Sequence, residues 1–298
     1  MTPKTFQTTL TSIFLTLAVS GPPAIRAADT TPSELSAAAQ GGDAEAQFQL
    51  AKAHMKGEGA PNDPAKAFAL MKRAADQGHA GAATGMGYLY SRGIGTANDE
   101  SQAVAWYRKA AEMGSAKGQY NLGGMIATGR GIPKDPKEGF QWMQRAAEHG
   151  LPEAVFAVGD AFYRGKLGQT TDYKKAYFWL LKAAEGGMGK AQNMVGVMHQ
   201  SGKGVPLDRK EAEAWFRKSA AQGDINGQSN LGHLLYTQPG DRSAKLEAIK
   251  WLLVARQRGD VLATQTLRLV QADIPKAEME EAQNLARGVK APPAPEAP

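Results

Sequence analysis

The chain has 298 residues, 42% of them hydrophobic, no cysteine and a formal charge of +6. The lack of cysteine excludes disulfides, thiolate catalysis, thiolate metal sites and lipidation of a cysteine. The positive balance is mild and both signs are interspersed along the chain, which argues against nucleic acid as a partner, since its binders gather Lys and Arg on one face or in runs.

The first element in chain order reads as an export signal over residues 1–27. Lys4 gives a short basic n-region, Leu10 to Val19 an apolar h-region, and Ala24-Ile25-Arg26-Ala27-Ala28 a small-residue junction, which places cleavage near Ala27 or Ala28. The apolar run is about ten residues, whereas a membrane-spanning helix needs roughly 20. The expected mature chain therefore has no integral membrane segment and lies in the periplasm or outside the cell. Removing Lys4 and Arg26 leaves 33 cations against 29 anions, or +4. Residues 28–42 form an N-terminal lead-in.

From residue 43 a block of about 36 residues recurs. Its clearest marks are Trp106, Trp142, Trp179, Trp215 and Trp251, spaced 36, 37, 36 and 36 residues apart. Aligned on them, the units are 43–78, 79–114, 115–150, 151–187, 188–223 and 224–259, with Leu70 in place of tryptophan in the first. No single active site explains such a rhythm. Stacked supersecondary units, none able to bury its apolar face alone, explain it directly.

Each unit carries two helical patterns. In the first, Gly118, Leu122 and Ile126 fall four residues apart on one face. A glycine turn stops it: Gly57 and Gly59, Gly93 and Gly95, Gly129 and Gly131, Gly165 and Gly168, Gly202 and Gly204. A phosphate cradle would need a preceding strand and a Lys-Ser/Thr pair, and neither is present. Asp63, Asp99, Asp135, Asp172 and Asp208 then read as N-caps of the second helix, with Pro64 and Pro136 at its first position and Gln102, Glu138 and Glu211 completing capping boxes. In that helix the tryptophan precedes small residues, as in Trp106-Tyr107-Arg108-Lys109-Ala110-Ala111, and is expected to fill the space between neighbouring repeats. The unit closes on Gly78, Gly114, Gly150, Gly187, Gly223 or Gly259.

These residues resemble the Sel1-like repeat proteins, relatives of the tetratricopeptide repeats. Ala116 to Gly123, Gly129-Arg130-Gly131-Ile132, Asp135 and Trp142 to Gly150 look like one whole family repeat, and the similarity covers residues 43–259. Pro275 to Ala286 resembles the closing helix common in exported members. The resemblance implies an all-α fold, an α/α superhelical solenoid of about six helix-turn-helix repeats, with C-terminal capping helices over 260–288. It also implies a surface that binds proteins or peptides. A proline-rich tail, 289–298, comes last and is expected to be disordered. Two departures stand out. Thr237-Gln238-Pro239-Gly240-Asp241-Arg242 replaces the turn of unit six, and unit four has an extra residue near Leu167. Cysteine-rich family members are linked to β-lactam binding or hydrolysis, but this chain lacks their cysteines and any Ser-x-x-Lys or Lys-Thr-Gly signature.

The histidines His54, His79, His149, His199 and His233 form no ligand pair at helical spacing, so no metal or other cofactor is expected. His54 and His199 occupy a slot held elsewhere by Tyr90 or Ile126 and read as core substitutes, while His149 ends a helix where a cationic ring suits the dipole. No Ser, His and Asp constellation stands out, which argues against an enzyme. A binding stripe follows from 100° per residue on the first helix of each unit. It holds Lys52, Lys56, Tyr88, Arg92, Asn121, Asp160, Arg164, Asn230 and His233, and in related superhelices this face lines the concave groove. The expected function is a monomeric, non-catalytic exported scaffold for a protein or peptide. The alternatives are a hydrolase of cell-wall or β-lactam-like substrates and a secreted host-directed factor.

Overall fold

The computed structural model describes residues 31–238 and 240–289; the expected export signal over 1–27 and the expected tail from residue 290 lie outside them. A single helix, α1 (Pro32–Gln40), precedes six antiparallel pairs: α2 (Ala44–Lys56) with α3 (Pro64–Asp76), α4 (Ala80–Arg92) with α5 (Glu100–Glu112), α6 (Ala116–Thr128) with α7 (Pro136–Glu148), α8 (Pro152–Arg164) with α9 (Tyr173–Glu185), α10 (Gly189–Ser201) with α11 (Arg209–Ala221), and α12 (Ile225–Thr237) with α13 (Arg242–Gln257). Helix α14 (Val261–Val270), a 3-10 turn at Gln271–Asp273 and α15 (Lys276–Arg287) close the stack. The fold is an all-α solenoid. First helices two apart in the chain's helix order, α4 with α6 and α10 with α12, approach each other directly. This places the first helices on the inner, concave side.

Local chemistry sets the helix ends. Gly57, Gly93, Gly129, Gly165 and Gly202 take left-handed backbone and end the first helices. Asp63, Asp99, Asp135, Asp172 and Asp208 each accept backbone N–H bonds at the start of a second helix. The expected capping boxes do not form. The backbone N–H of each of these aspartates is turned back to the preceding helix, as in Asp99 N–H to Tyr90 and Asp135 N–H to Ile126. It is therefore already bonded, and Glu138 instead accepts from the Trp142 indole at 3.3 Å. The box that does form is Thr31 with Glu34. In unit six, α12 leaves through extended Gln238 rather than a left-handed glycine, and Asp241 caps α13. The extra residue of unit four is absorbed at Leu167, whose φ is +55°.

The backbone bonds to Asp63, Asp172 and Asp99 hold these carboxyls below their ordinary value of 3.8, helped at Asp99 by a still larger contribution from the Ser101 hydroxyl. A depressed native value means that stability is present above the unfolded value and is lost as pH falls through the native one. Thermal stability should therefore fall as the pH is taken below about 4 and on through the depressed native values. A triple Asp63→Asn, Asp99→Asn, Asp172→Asn variant keeps the caps, because asparagine caps as well as aspartate. Its melting temperature should fall less steeply over that interval.

The core lies between the helices of each pair and between pairs. Gly118 is buried and Leu122 and Ile126 are fully so, as the four-residue spacing predicts. The tryptophans lie between neighbouring repeats as expected, packed against the core, but Trp106, Trp142, Trp179 and Trp251 are half-buried and only Trp215 is buried, at 9% exposure. The buried large side chain is the next residue: Tyr107, Met143, Leu180, Phe216 and Leu252. Each lies against a glycine of its own first helix, Gly87, Gly123, Gly159, Gly196 and Gly232, where an added Cβ would come within 3 Å of it. The indoles flank this row at the junction with the preceding repeat, covered on the outside by a cation. Lys109, Arg145, Lys182 and Lys218, three residues on, stand 4.8, 4.5, 5.6 and 3.9 Å from the ring centroids.

Buried amides tie one repeat to the next. Gln47, Gln119, Gln192 and Gln228 donate to the carbonyls of Ala39, Ala111, Ala184 and Ala220, all in the preceding helix, at 3.1 to 3.3 Å. Three of them also accept a bond from the end of their own second helix: Gln47 from Gln77, Gln119 from His149, Gln228 from Arg258. Ala83 and Val155 hold the same place in repeats two and four.

Candidate peptide-binding site

Tyr88, Arg92 and Asn121 come together in a cleft of about 430 Å³ between repeats two and three. Helix α4 supplies Tyr88, Ser91 and Arg92, α6 supplies Tyr120, Asn121 and Thr128, and the glycine turn adds Arg130. Tyr107, Met125 and Met143 form the floor. Arg130 is held by Glu100 at 2.7 Å. Arg92 makes no ion pair among the described residues and lies over the Tyr88 ring, 5.9 Å from its centroid. Burial pushes the Tyr107 hydroxyl above its ordinary value, opposed by its bond to Ser91 and by the charges of Arg130 and Arg92. Burial does the same to Tyr120. Both phenols thus stay neutral donors, beside an open guanidinium and an amide. Such a set of donors is suited to a carboxylate, as an acidic segment carries.

The rest of the stripe is dispersed along the stack. Lys52 stands over Phe48 at 5.3 Å and bonds Gln49, and Lys56 is exposed one turn on. Asp160 and Arg164 pair with each other. Asn230 donates to Asn193 at 2.8 Å, and His233 meets Thr266 at 3.4 Å. Ser91, Tyr107, Tyr120 and Arg130 belong to the cleft but lie off the stripe. Tyr107 comes from the second helix and Arg130 from the turn, so a single-helix projection passes them by.

The histidines are structural. His54 is buried and its Nδ1 bonds the Pro61 carbonyl at 2.8 Å. His199 is buried against the Tyr177 hydroxyl at 3.1 Å. His149 ends α7 and bonds Gln119 at 3.0 Å. His79 caps α4 through Nδ1, which accepts from Ala82, so its Nε2–H faces Glu45 at 2.8 Å. Among the described residues no group of three His, Asp or Glu side chains is placed to hold a metal ion. Nor is any helix among them long and apolar enough to cross a membrane.

Comparison with known proteins matches the Sel1 repeat six times, at residues 44–79, 80–115, 116–151, 152–188, 189–224 and 225–260. The structure is similar to a protective antigen present in uropathogenic Escherichia coli strains displaying an SLR fold. The two share 32% identity at a TM-score of 0.77, over 87% of this chain and 56% of that one. The chain thus spans little more than half the length of that relative. It is also similar to a Sel1 repeat protein from Oxalobacter formigenes, at 28% identity and a TM-score of 0.68, over 76% of this chain and 98% of that one. No curated protein sequence matches. Sel1 repeats generally form non-catalytic scaffolds that bind other proteins. With six repeats in register over residues 44–260, the chain belongs to the Sel1 repeat family.

Proposed function

We propose that this protein is a non-catalytic, exported adaptor that holds an acidic peptide segment of a partner protein in its concave groove. The observation that carries this reading is the Tyr88–Arg92–Asn121 cleft, where a guanidinium without a carboxylate partner among the described residues sits beside neutral donors on the inner face. Export rests on residues 1–28 of the sequence, and N-terminal sequencing of the mature protein tests it: a start at Ala28 or Asp29 supports it, an intact Met1 overturns it. Charge-assisted hydrogen bonds contribute about 1.5–3 kcal/mol, so Arg92→Gln should weaken binding of a hexaglutamate peptide at least tenfold, as read by calorimetry at low salt. Arg164→Gln, which removes a cation already paired with Asp160, should change it little. Equal loss in both variants would mean diffuse attraction without a site. Hydrolytic turnover by the purified protein would overturn the adaptor reading. A host-directed factor is a second reading, favoured by the similarity to the E. coli protective antigen; fractionation into periplasm and medium separates the two.

A further inference from the structure

Five repeats place their own indole at the junction with the preceding helix, and repeat one has Leu70 there. The register is fixed by neighbours as well as by alignment. Ala75 accepts a bond from Lys109 in repeat two, and Ala39 and Arg73 stand in the same places in repeat one. With leucine at this position the notch stays open. It is a cavity of about 350 Å³ whose walls include Ser36 and Gln40 of α1, Leu50 of α2, and Lys66, Leu70 and Arg73 of α3.

The cation that goes with the indole is nevertheless retained. In repeats two to five the Lys or Arg three residues after the tryptophan covers the ring. Arg73, three residues after Leu70, borders the notch with no ring beneath it and makes no ion pair among the described residues. Lys66 on the same rim is paired with Asp63 at 3.3 Å. The sister repeats thus show what this recess accommodates, a flat aromatic ring under a cation, and the unpaired Arg73 guanidinium favours an anion beside that ring.

We propose that the Leu70 notch is a second binding site, which takes an aromatic side chain of a partner protein, tryptophan-sized and flanked by a carboxylate. Its lining shares no residue with the cleft of repeats two and three. The scaffold reading enters only in assigning the ring to a protein.

The test uses the mature chain, labelled with ¹⁵N, and three probes: indole, indole-3-acetate and a capped Asp-Trp-Asp tripeptide. Indole-3-acetate and the tripeptide should give saturable amide shifts confined to the region of Ala39, Leu50, Ala69 and Arg73. Leu70→Trp fills the notch from within, so it should weaken both at least tenfold while raising the melting temperature. Arg73→Gln should weaken the two acidic probes several-fold and leave indole unchanged. Leu70→Phe, which fills the notch partly, gives the same ordering at smaller amplitude should Leu70→Trp fold poorly. Absence of saturable shifts, or binding that Leu70→Trp and Leu70→Phe leave intact, would overturn the proposal. Binding of indole-3-acetate without the tripeptide would overturn the protein source of the ring. Loss of hexaglutamate binding by Arg92→Gln is read separately, so either site can fail without the other.

Discussion

Gly131→Ala is expected to destabilise the protein by about 3 kcal/mol or more, among the larger effects a single substitution produces. Two costs combine. The residue sits at φ +67°, where a side chain alone costs roughly 1–2 kcal/mol. An added Cβ would also collide with the carbonyl of Glu100 and lie 2.8 Å from the Ser101 nitrogen. Those atoms belong to the first turn of α5, held in place by the Asp99 cap, and cannot step aside as the end of a side chain could. The same approach recurs at Gly95 on Pro64 and at Gly204 on Tyr173. Gly114→Ala is the control, with φ +82° but open space around its Cβ position; only the conformational cost of about 1–2 kcal/mol applies. Urea denaturation followed by circular dichroism measures both. A solenoid's stability is a sum of repeat and interface contributions, so weakening one interface should also lower the m-value of Gly131→Ala as the two sides unfold separately. Equal midpoints for the two variants would refute the inter-repeat role of this glycine.

Phe216→Ala is expected to cost about 3–5 kcal/mol, the range for emptying a fully buried aromatic position. Phe216 is wholly buried and lies on Gly196 of its own repeat, which has no side chain to fill the space. Trp179→Ala removes a larger ring and should nevertheless cost less, about 1–2 kcal/mol, because that indole is half-buried and part of its surface already faces water. The order of the two urea midpoints is the informative result. A larger loss for Trp179→Ala would restore the tryptophan to the centre of the core.

The contrast shows where sequence reasoning succeeds. Turn glycines and capping aspartates were legible because their roles are local: a left-handed residue and a bonded first turn are specified within a few positions. The buried stripe of Gly118, Leu122 and Ile126 was legible from period alone. The tryptophans were legible as residues of the repeat junction, but not their depth, because frequency of a large residue is not burial. The sequence 106–107 reads Trp then Tyr, and only the crossing of two helices decides that the second points at Gly87 and the first at a neighbour. Glu138 and Glu211 fit a capping-box spacing, yet the bond they would make is taken by the chain coming off the previous helix. The caps of the first helices were missed because they vary among Asp43, His79, Ser115 and Asp224, and because Leu151 and Met188 provide no side-chain bond at all. The stripe residues Tyr88, Arg92 and Asn121 were found by projection. Tyr107, Tyr120 and Arg130, which complete their cleft, become neighbours only through packing between repeats.

The buried glutamines give the stack uneven stiffness. Junctions between repeats two and three, four and five, and five and six each carry a buried amide bond across the interface, whereas Ala83 and Val155 leave the interior of the junctions between repeats one and two, and three and four, to apolar contact. Apolar surfaces slide with little penalty, while a directional bond in a dry environment resists shear. The junction between repeats one and two is tied instead by His79 with Glu45 and Lys109 with Ala75, so bending is expected first between repeats three and four, with repeats two and three moving as one block. The cleft formed by Tyr88, Arg92 and Asn121 lies inside that block. Its width is set before any partner arrives, while the angle at which the flanking repeats close around a bound chain is free to adjust.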